Sequence, residues 1–537
     1  SLAPLPALAA ALVLESRPLW TFDHDAASGG ADAAEIVSYD APNARAFVAG
    51  GPTVDVLDAT DGSLVGSLAF TNLPAGFTPD GVTGVAAKGG LGVVGLPADD
   101  QDEGYVAFFD TTTLQVTDYV RVGSLPDMVT FTPDGARVLV ANEGEPNDDY
   151  DIDPKGSISV IDVATRGVTT IGFEGLNGLQ TADPNNGERS LDGTRIFGPG
   201  PFGGTVATVA QDLEPEFIAV SPDGSQAMVT LQENNAVAII DLASETLVAV
   251  KSLGFKDHGQ PGNEIDTSDR DGIDGNFQLY PGLVGMYQPD GIAAFEVDGK
   301  TYYVTANEGD GRDYDGFSEE ERVKDLPLAA DFVTLNGADI QDDERLGRLN
   351  VTTTRGRDAD GDFAALSVFG ARSFSILDDQ GNQVFESGNW LEELVLQHFP
   401  DFYNDGRSDN KGVEPESVEI GVIDGRTVAF VALERTTTGL TLAFDVNDPL
   451  NPAYLGAISF AGDVAPEGLE FVPGILSFDG HPLLLIANEV SGTTTAYALQ
   501  VVPLPAAWLG FAAGVGGLAW LRRRQSARVA AGTAPKA

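Results

Sequence analysis

The feature that most constrains the fold of this chain is a repeated hairpin unit. In each copy an acidic residue, usually after proline, opens a strand, a turn follows, and a second strand ends in Asn-Glu or a close variant. Five copies are clear: Pro126-Asp127 to Asn142-Glu143, Pro215-Glu216 to Gln232-Glu233, Pro289-Asp290 to Asn307-Glu308, Pro415-Glu416 to Leu433-Glu434, and Pro466-Glu467 to Asn488-Glu489. Two weaker copies open at Glu35 and Asp80. Repeats of this kind fold by packing against one another.

Each unit continues into a third strand that ends in Asp, such as Ile158–Asp162 or Val237–Asp241, and then into a fourth strand, such as Thr246–Val250. Turn sequences such as Pro133-Asp134-Gly135 separate the first two strands. Four strands in each unit and seven openings predict an all-β fold, a seven-bladed β-propeller over residues 21–500.

The intervals between successive openings predict loop insertions in this propeller. Three of the intervals match the roughly 40–50 residues of one blade. The longer intervals indicate insertions near Glu174–Leu213, Phe255–Tyr287 and Gly309–Ala365. Insertions on a rigid scaffold often carry function, so we expect them to contribute to any site.

The charge balance restricts the partners of the chain. Its 537 residues include 30 Lys and Arg against 81 Asp and Glu, a formal net charge of -51. Such a surface repels phosphate backbones, so we expect no nucleic-acid partner, and it favours divalent cations or basic partners. A general adaptation of the surface to salt explains the charge equally well. The absence of Cys excludes disulfides, zinc-thiolate sites and thiol catalysis.

The repeat predicts that distant acidic residues meet at one end of a central channel. Antiparallel pairing brings the start of each first strand to the same edge as the end of the second. We expect metal ligands at the strand starts, Asp127, Glu216, Asp290, Glu416 and Glu467, with Glu35 and Asp80 nearby. We expect ligand-binding residues at and after the strand ends, namely Glu143, Glu233, Glu308, Asp310, Arg312, Asp313, Glu434 and Glu489.

Calcium is the expected cofactor of this acidic mouth, because it accepts ligands that are all oxygen and needs neither His nor Cys. Arg312 and Arg435 follow second-strand ends and are expected to neutralise part of the ring. An alternative stays open, in which the acidic residues only cap backbone amides and the Asn-Glu pairs close turns.

Two loop clusters extend the calcium prediction beyond the mouth. The first comprises Asp266, Asp269, Asp271 and Asp274, and the second Asp358, Asp360 and Asp362. Neither has the terminal Glu that an EF-hand requires, so that motif is excluded. Solvated acidic turns are the alternative for both clusters.

Other motifs are weak or absent. Gly90–Gly95 has GxGxxG spacing but leads into Leu96-Pro97 and acidic residues instead of a helix, which excludes a dinucleotide fingerprint. The sequence has no GxSxG elbow and no Walker A loop. The four histidines are isolated from one another in sequence and form no zinc-spaced pair.

The two ends of the chain suggest export. Residues 1–20 are either the remnant of a signal-peptide core, apolar from Leu2 to Leu14, or a strand that closes the propeller through Leu19–Phe22. Residues 501–524 carry no charge between Leu504 and Leu521 and end in Arg522-Arg523-Arg524, which predicts a transmembrane helix with a cytoplasmic tail at 525–537.

The run from Val502 to Arg524 resembles the VPLPA-type CTERM sorting signals of Gram-negative bacteria, which are relatives of PEP-CTERM tails. The resemblance implies export to the outer surface or the extracellular matrix, anchoring in the membrane that is either transient or permanent, and an exosortase-like sorting enzyme as partner.

Five longer motifs stand out in the chain: Arg195–Gly200, Ala210–Glu216, Thr230–Asn235, Gly285–Asp290 and Thr305–Tyr314. Together they resemble the choice-of-anchor I family, whose animal relatives look like mesenchyme-specific cell-surface glycoproteins. The resemblance runs from about Glu35 to Leu499 and implies surface display without a settled activity. Some members of the family are described as alkaline phosphatases or likened to phytase-esterases.

Three functions therefore stay open. The first is a non-catalytic, surface- or matrix-associated propeller that binds calcium and an extracellular partner. The second is a calcium-dependent phosphoesterase, with Arg195, Lys256, Arg312 and Arg435 as the candidate phosphate-binding residues. The third is a purely structural scaffold.

Overall fold

A computed structural model describes residues 12–24, 34–99, 101–183, 185–199 and 206–503. Within these ranges the regular secondary structure is almost entirely β-strand, as the sequence predicts, and no helix in them is long and apolar enough to span a bilayer. The predicted transmembrane run from Leu504 to Leu521 lies outside the described residues.

The described residues contain seven antiparallel sheets of four strands, numbered here from 1 to 7 along the chain. Sheet 1 comprises Ile36–Asp40, Arg45–Gly50, Thr53–Asp58 and Leu64–Ser67. Sheet 2 comprises Val85–Lys88, Leu91–Leu96, Glu103–Asp110 and Gln115–Ser124. Sheet 3 comprises Pro126–Phe131, Arg137–Asn142, Ser157–Asp162 and Val168–Gly172. Sheet 4 comprises Ile218–Val220, Gln226–Leu231, Ala236–Asp241 and Thr246–Ser252.

Sheet 5 comprises Ile292–Val297, Lys300–Asn307, Ser373–Asp378 and Gln383–Glu386. Sheet 6 comprises Pro415–Ile423, Arg426–Leu433, Leu440–Asp445 and Ala453–Ile458. Sheet 7 comprises Pro466–Val472, Leu483–Asn488, Thr493–Pro503 and, from the start of the chain, Leu12–Asp23. The first strand of each sheet contacts the first strands of its two neighbours, and sheet 7 contacts sheet 1, so the contacts form a closed ring. This radial arrangement is that of a β-propeller.

The hydrophobic core is divided among the interfaces between neighbouring sheets. Phe47 of sheet 1 packs with Phe109 of sheet 2, and Val106 of sheet 2 packs with Val138 of sheet 3. Comparable buried clusters lie between every later pair of neighbours and between sheets 7 and 1. Strands with valine, isoleucine and phenylalanine on both faces suit this position, since a central sheet is buried on both sides.

The start of the described chain closes the ring. Leu12–Asp23 pairs antiparallel with Thr493–Pro503 over its whole length. The buried ring of His24, directly after this strand, bridges two sheets: Nδ1 lies 2.9 Å from Asp55 Oδ2 in sheet 1, and Nε2 lies 2.9 Å from Thr494 Oγ1 in sheet 7. The ends of the propeller are therefore joined by backbone pairing and by a side-chain bridge.

Insertions lie between and within the sheets in chain order. Between sheets 3 and 4 lie Glu174–Leu176, Thr181–Ala182, Arg189–Leu191, Thr194–Ile196 and the helical turn Val209–Asp212. Between sheets 4 and 5 lie Phe255–Asp257 and Leu283–Met286. Within sheet 5 lie Asp313–Tyr314, Phe317–Ser318, Glu320–Arg322, Val323–Asp325, Ala330–Asn336, Asn350–Thr352 and Leu366–Val368. These last two insertions share one buried core that includes Phe332 and Phe363.

A further insertion, which the repeat spacing did not separate from the preceding one, joins sheets 5 and 6. It contains the helix Trp390–His398 and the short helical turns Pro400–Phe402 and Asp405–Arg407. Its last residues, Ser408–Glu414, lead directly into the first strand of sheet 6. This segment therefore enters the channel end where the first strands begin.

Candidate functional site

The channel end at which the first strands begin, called the mouth here, collects most of the acidic residues that the repeat predicts. A cavity of about 650 Å³ runs along the channel and touches the first strand of every sheet. Acidic residues at its wall near the mouth are Glu35, Asp127, Glu143, Glu145, Glu216, Glu233, Asp290, Asp310, Glu416 and Glu467. Asp80 is an exception to the prediction: it is exposed, and Thr83 and Gly84 line the channel from sheet 2 instead.

A backbone feature brings the acidic residues to the mouth. In four repeats the residue before the Pro-acid pair has a left-handed conformation although it is not glycine, with φ of 46° at Leu125, 42° at Gln288, 48° at Glu414 and 59° at Ala465. In three of them, the residue after the second strand donates its N–H to the carbonyl of that left-handed residue. These pairs are Glu143 to Leu125 at 2.9 Å, Glu434 to Glu414 at 2.9 Å and Glu489 to Ala465 at 2.8 Å. Left-handed residues other than glycine are strained, and such strain concentrates at functional sites.

The first group of carboxylates consists of Glu143, Glu216 and Glu233, called the open triad here. One oxygen from each lies within 4.8 Å of the others. Glu216 and Glu233 are only 8% and 6% exposed, and Oε2 of Glu233 is buried without a hydrogen-bond partner. Burial, with the charges of neighbouring carboxylates, raises the pKa of Glu143 and Glu216 well above the ordinary value. Burial raises the pKa of Glu233 to about 7, although the charge of Arg312 opposes the shift.

Two further groups share Glu308. Asp290, Glu308 and Glu416 form one group, and Glu308, Glu414 and Glu434 form the other, which we call the compensated triad. Burial raises the pKa of Asp290 to about 6 and that of Glu434 to about 8. One oxygen of Asp290 lies within 4.8 Å of one oxygen of Glu416, and burial, with the charges of Glu308 and Asp290, raises the pKa of Glu416 well above the ordinary value.

Lys411, which belongs to no sequence motif, supplies a positive charge to the compensated triad. Its Nζ lies 2.5 Å from Glu308 Oε1 and 3.5 Å from both Asp310 Oδ1 and Glu414 Oε2. Burial alone lowers the pKa of Lys411, but the charges of these carboxylates outweigh burial and raise it well above the ordinary value. Arg407 also pairs with Glu414, at 2.6 Å.

Arg435 pairs with Glu434 at 2.7 Å, as the prediction of a partly neutralised ring requires. Glu489 lies close enough to Glu467 to act on its pKa, which burial and the charges of Glu35 and Glu489 raise well above the ordinary value. Gln232 joins the two halves of the mouth, since its Nε2 donates to Glu308 Oε2 at 2.7 Å and the next residue is Glu233.

One side of the mouth is covered by two loops. Tyr314, in the insertion of sheet 5, donates its hydroxyl proton to Glu145 Oε1 at 2.7 Å. The ring of Tyr150 packs edge-on against Tyr314 at 5.5 Å and against Phe317 at 5.7 Å between ring centres. These contacts tie the insertion of sheet 5 to the loop that follows Glu143.

Two residues predicted at the mouth lie elsewhere. Arg312 does not neutralise the carboxylate ring by direct contact: it is buried behind the mouth, 2.8 Å from Asp212 Oδ1 and 2.7 Å from Glu214 Oε2. Asp313 is exposed on the hairpin formed by Asp313–Tyr314 and Phe317–Ser318. Position in sequence after Glu308 is therefore a poor guide here, because Asp310, Gly311 and Tyr314 line the channel while the two residues between Gly311 and Tyr314 do not.

The loop clusters are held by internal contacts. Asp358 Oδ1 accepts the backbone N–H groups of Asp360 and Asp362, at 2.9 and 3.1 Å, which is a local turn. Asp266 accepts backbone N–H groups of Ser268 and Asn276. Asp269 is ion-paired with Arg348. The described residues of these clusters form none of the three close carboxylate groups.

Three of the four basic residues proposed for phosphate are not accessible. Arg195 is buried and paired with Glu319 at 2.6 Å and Glu188 at 3.1 Å. Lys256 is buried and donates to the carbonyl oxygens of Ala371 and Gly388, at 2.8 and 2.7 Å. Arg312 is enclosed as described, which leaves Arg435, whose side chain is 39% exposed.

The chain is similar to several known proteins in sequence or in structure. Gigasin-3a of Magallana gigas is 30% identical over 197 residues, which cover 31% of this chain and 69% of the relative. Hydrazine synthase of Kuenenia stuttgartiensis matches 88% of this chain and 96% of its own at 13% identity, with a TM-score of 0.44. The β-propeller domain of Myceliophteria thermophila Cps50 (Swd1) matches 90% of this chain and 99% of its own at 7% identity, with a TM-score of 0.44.

The family comparison covers most of the chain. The family model of the choice-of-anchor I domain matches residues 35–449, from the acidic residue before sheet 1 to the end of the third strand of sheet 6 and beyond. It includes all the insertions and every residue of the open triad. The chain therefore belongs to the choice-of-anchor I domain family, a β-propeller domain of the surface-anchor type.

Proposed function

We propose that this chain is an exported, surface- or matrix-associated seven-bladed β-propeller that binds a divalent cation, calcium, in its acidic mouth and engages an extracellular partner there without catalysis. The observation that carries the proposal is the open triad: three carboxylates within 4.8 Å, two of them more than nine-tenths buried, with Glu233 Oε2 lacking a hydrogen-bond partner.

Ligand geometry supports calcium. Oxygens bound to a common Ca²⁺ at about 2.3–2.6 Å are separated by at most about 5 Å, and the open triad already meets that limit. Burying unpaired carboxylates is costly unless a cation or a proton compensates them. Calcium takes six to eight oxygens, so Glu143, Glu216 and Glu233 leave coordination positions for water or for a partner.

The partner that fits is one that supplies oxygen ligands or positive charge. A carboxylate from a partner completes the coordination of a bound calcium ion, and a basic surface is attracted by a chain of net charge -51. An extracellular matrix or cell-surface ligand provides either group.

Binding is favoured over phosphoester hydrolysis by the placement of the basic residues. A phosphoesterase stabilises the charge of the transferring phosphate with cations or basic groups aimed at the substrate. Arg195, Lys256 and Arg312 are instead buried in internal contacts. The basic side chains that reach the mouth, Lys411, Arg407 and Arg435, are each already paired with a carboxylate of the compensated triad.

Export is proposed from the tail. The VPLPA-type run from Val502 to Arg524 supports recognition by an exosortase-like enzyme and display on the outer surface or matrix of a Gram-negative bacterium, with the helix as a transient or permanent anchor. Only Val502 and Pro503 of this run are described, where they pair with Val13 and Leu12.

A calcium titration tests the binding proposal. Calcium is added to chelator-treated protein while the melting temperature and the heat of binding are recorded. We expect a rise in melting temperature that Glu216→Gln reduces or abolishes, since the variant loses one anionic ligand. Glu470→Gln, a channel carboxylate outside the three close groups, is the matched control and should retain the response. A wild-type chain whose melting temperature and heat signal ignore calcium at millimolar concentration excludes the proposal.

A further inference from the structure

Two of the three close carboxylate groups at the mouth, the open triad and the compensated triad, have no residue in common and differ in their basic neighbours. In the open triad and in the compensated triad, three carboxylate oxygens lie within 4.8 Å of one another. Oε2 of Glu233 in the open triad is buried without a hydrogen bond or an ion pair, whereas Oε2 of the fully buried Glu414 in the compensated triad lies 3.5 Å from Lys411 Nζ. Both groups therefore have the number and spacing of carboxylates that a cation site requires.

The difference lies in the basic side chains. The compensated triad is approached by Lys411, Arg407 and Arg435, each in ion-pair contact with at least one of its members. Among the ion pairs of the described residues, none involves Glu143, Glu216 or Glu233. Arg312 acts on Glu233 only from a distance, because its guanidinium is paired with Asp212 and Glu214.

The ammonium group of Lys411 occupies a position between carboxylates that a bound metal cation would also occupy. Its ammonium lies 2.5 Å from Glu308 and 3.5 Å from both Asp310 and Glu414, with a side-chain exposure of 15%. The oxygens of three carboxylates surround this single positive charge. The flexible side chain of lysine lets the ammonium reach these oxygens from the segment before sheet 6. Glu308, which the two further carboxylate groups share, is thereby engaged by protein.

We infer that Lys411 is a tethered cation that fills a second divalent-ion site of the mouth, so that the native chain takes up one ion, at the open triad, and gains a second site at Glu308, Glu414 and Glu434 when the ammonium is removed. This inference rests on the proposed function. Without Lys411, the carboxylates of Glu308, Asp310, Glu414 and Glu434 face the guanidiniums of Arg407 and Arg435. The formal excess is two negative charges, which one divalent ion neutralises.

The test is the number of calcium ions bound per chain, measured by equilibrium dialysis with metal analysis and by calorimetry. The wild type should bind one ion, Lys411→Met two, and Lys411→Arg one, because arginine keeps the positive charge. Lys324→Met is the matched control: Lys324 forms an exposed ion pair with Asp343 at 3.3 Å, and its loss should leave one ion.

The outcomes separate the inference from the proposed function. A wild type that binds no calcium overturns both. A wild type with one ion and a Lys411→Met variant with one ion overturns the tethered cation alone. Two ions in the wild type also overturn it.

A variant that fails to fold without calcium remains informative. Loss of Lys411 leaves buried carboxylates uncompensated, so Lys411→Met is expected to be destabilised in chelator. The tethered-cation assignment then requires that calcium restore its melting temperature by more than it raises that of the wild type. Destabilisation that calcium does not reverse overturns the assignment.

Discussion

The guanidinium of Arg312 donates from Nη1 to Oδ1 of Asp212 at 2.8 Å across 100 residues of sequence, and both side chains are fully buried. Arg312 also pairs with Glu214 and lies over the ring of Phe197, 4.5 Å from its centre. The contact joins the insertion before sheet 4 to the insertion within sheet 5, directly behind the mouth.

The first prediction concerns this pair. Arg312→Met leaves two carboxylates buried without their cation, and breaking a buried ion pair costs about 3–5 kcal/mol. The free energy of unfolding, from urea denaturation, should fall by that order. Arg345→Met is the control, because Arg345 pairs with the exposed Asp339 at 2.9 Å and surface pairs contribute about 0–1 kcal/mol. Equal losses in the two variants would show that the buried pair has no special role.

The second prediction concerns ring closure at Gly62. A Cβ added there meets the ring of Trp20 at 2.7 Å, and the residue has φ of +76°. Trp20 belongs to the closing strand Leu12–Asp23, and its Nε1 donates to the carbonyl of Ala59 at 2.8 Å. Gly62→Ala should therefore both strain the backbone, by about 1–2 kcal/mol, and displace Trp20, by about 1–3 kcal/mol more.

Gly51→Ala isolates the backbone contribution. Gly51 has φ of +59°, but nothing lies within 4 Å of its added Cβ. Thermal unfolding should show a clearly larger loss for Gly62→Ala than for Gly51→Ala. Equal melting temperatures for the two variants would mean that Trp20 can move without loss of stability. The closing strand would then be packed less tightly than described.

The third prediction is a pH dependence that arises deeper in the channel. Burial raises the pKa of Glu470 to about 8, although a backbone N–H of Tyr39 and the charge of Lys88 oppose the shift. Burial, with the charge of Glu470, also raises the pKa of Glu419 well above the ordinary value. An unfolded Glu titrates near 4.3. Between these values the folded chain holds a proton that the unfolded chain has lost, so this group makes stability fall as pH rises from about 4 to about 8.

The side chain of the Glu470→Gln variant is uncharged, as the protonated form of Glu470 is. The variant should therefore lose the part of the pH-dependent fall in stability that the ionisation of Glu470 causes. In chelator, the stability of the variant relative to the wild type should increase as pH rises from 5 to 8, by about 3–4 kcal/mol over that range, and its melting temperature should rise accordingly. Glu296→Gln, at an exposed position of sheet 5, is the control. Parallel profiles for wild type and Glu470→Gln would mean that Glu470 ionises normally.

The fourth prediction concerns catalysis. A generic phosphate ester incubated with the chain should show no hydrolysis above background, with or without calcium, because Arg195, Lys256 and Arg312 are enclosed. Turnover that depends on calcium and disappears in Glu308→Gln would instead establish the phosphoesterase alternative. The folded state of that variant is checked by its melting profile.

The repeat predicted the all-β fold, and the choice-of-anchor I motifs predicted the family, and both predictions are confirmed. These succeed because strand alternation, turn residues and long motifs are local in sequence. The predicted grouping at the mouth follows from antiparallel pairing alone, and Asp127, Glu216, Asp290, Glu416 and Glu467 all line the channel. Calcium at these residues stays a prediction.

Other residues could not be placed by pairing. Asp80 carries the same Pro-Asp signature as Asp127 but is exposed, because the first strand of sheet 2 begins only at Val85. Arg312 follows Glu308 closely in sequence yet turns away to Asp212. Lys411 has no motif at all and reaches Glu308 through an insertion whose path depends on packing around the helix Trp390–His398.

The amino-acid sequence alone thus determined the repeated four-stranded unit, the family and the edge of the sheets at which the acidic residues gather, since each depends on residues close together in the chain. Only the tertiary structure decided which carboxylates hold an internal cation and which remain without one. That choice depends on where Lys411, Arg407 and Arg435 arrive from distant insertions, and long-range electrostatic partners leave no periodic signal in the sequence.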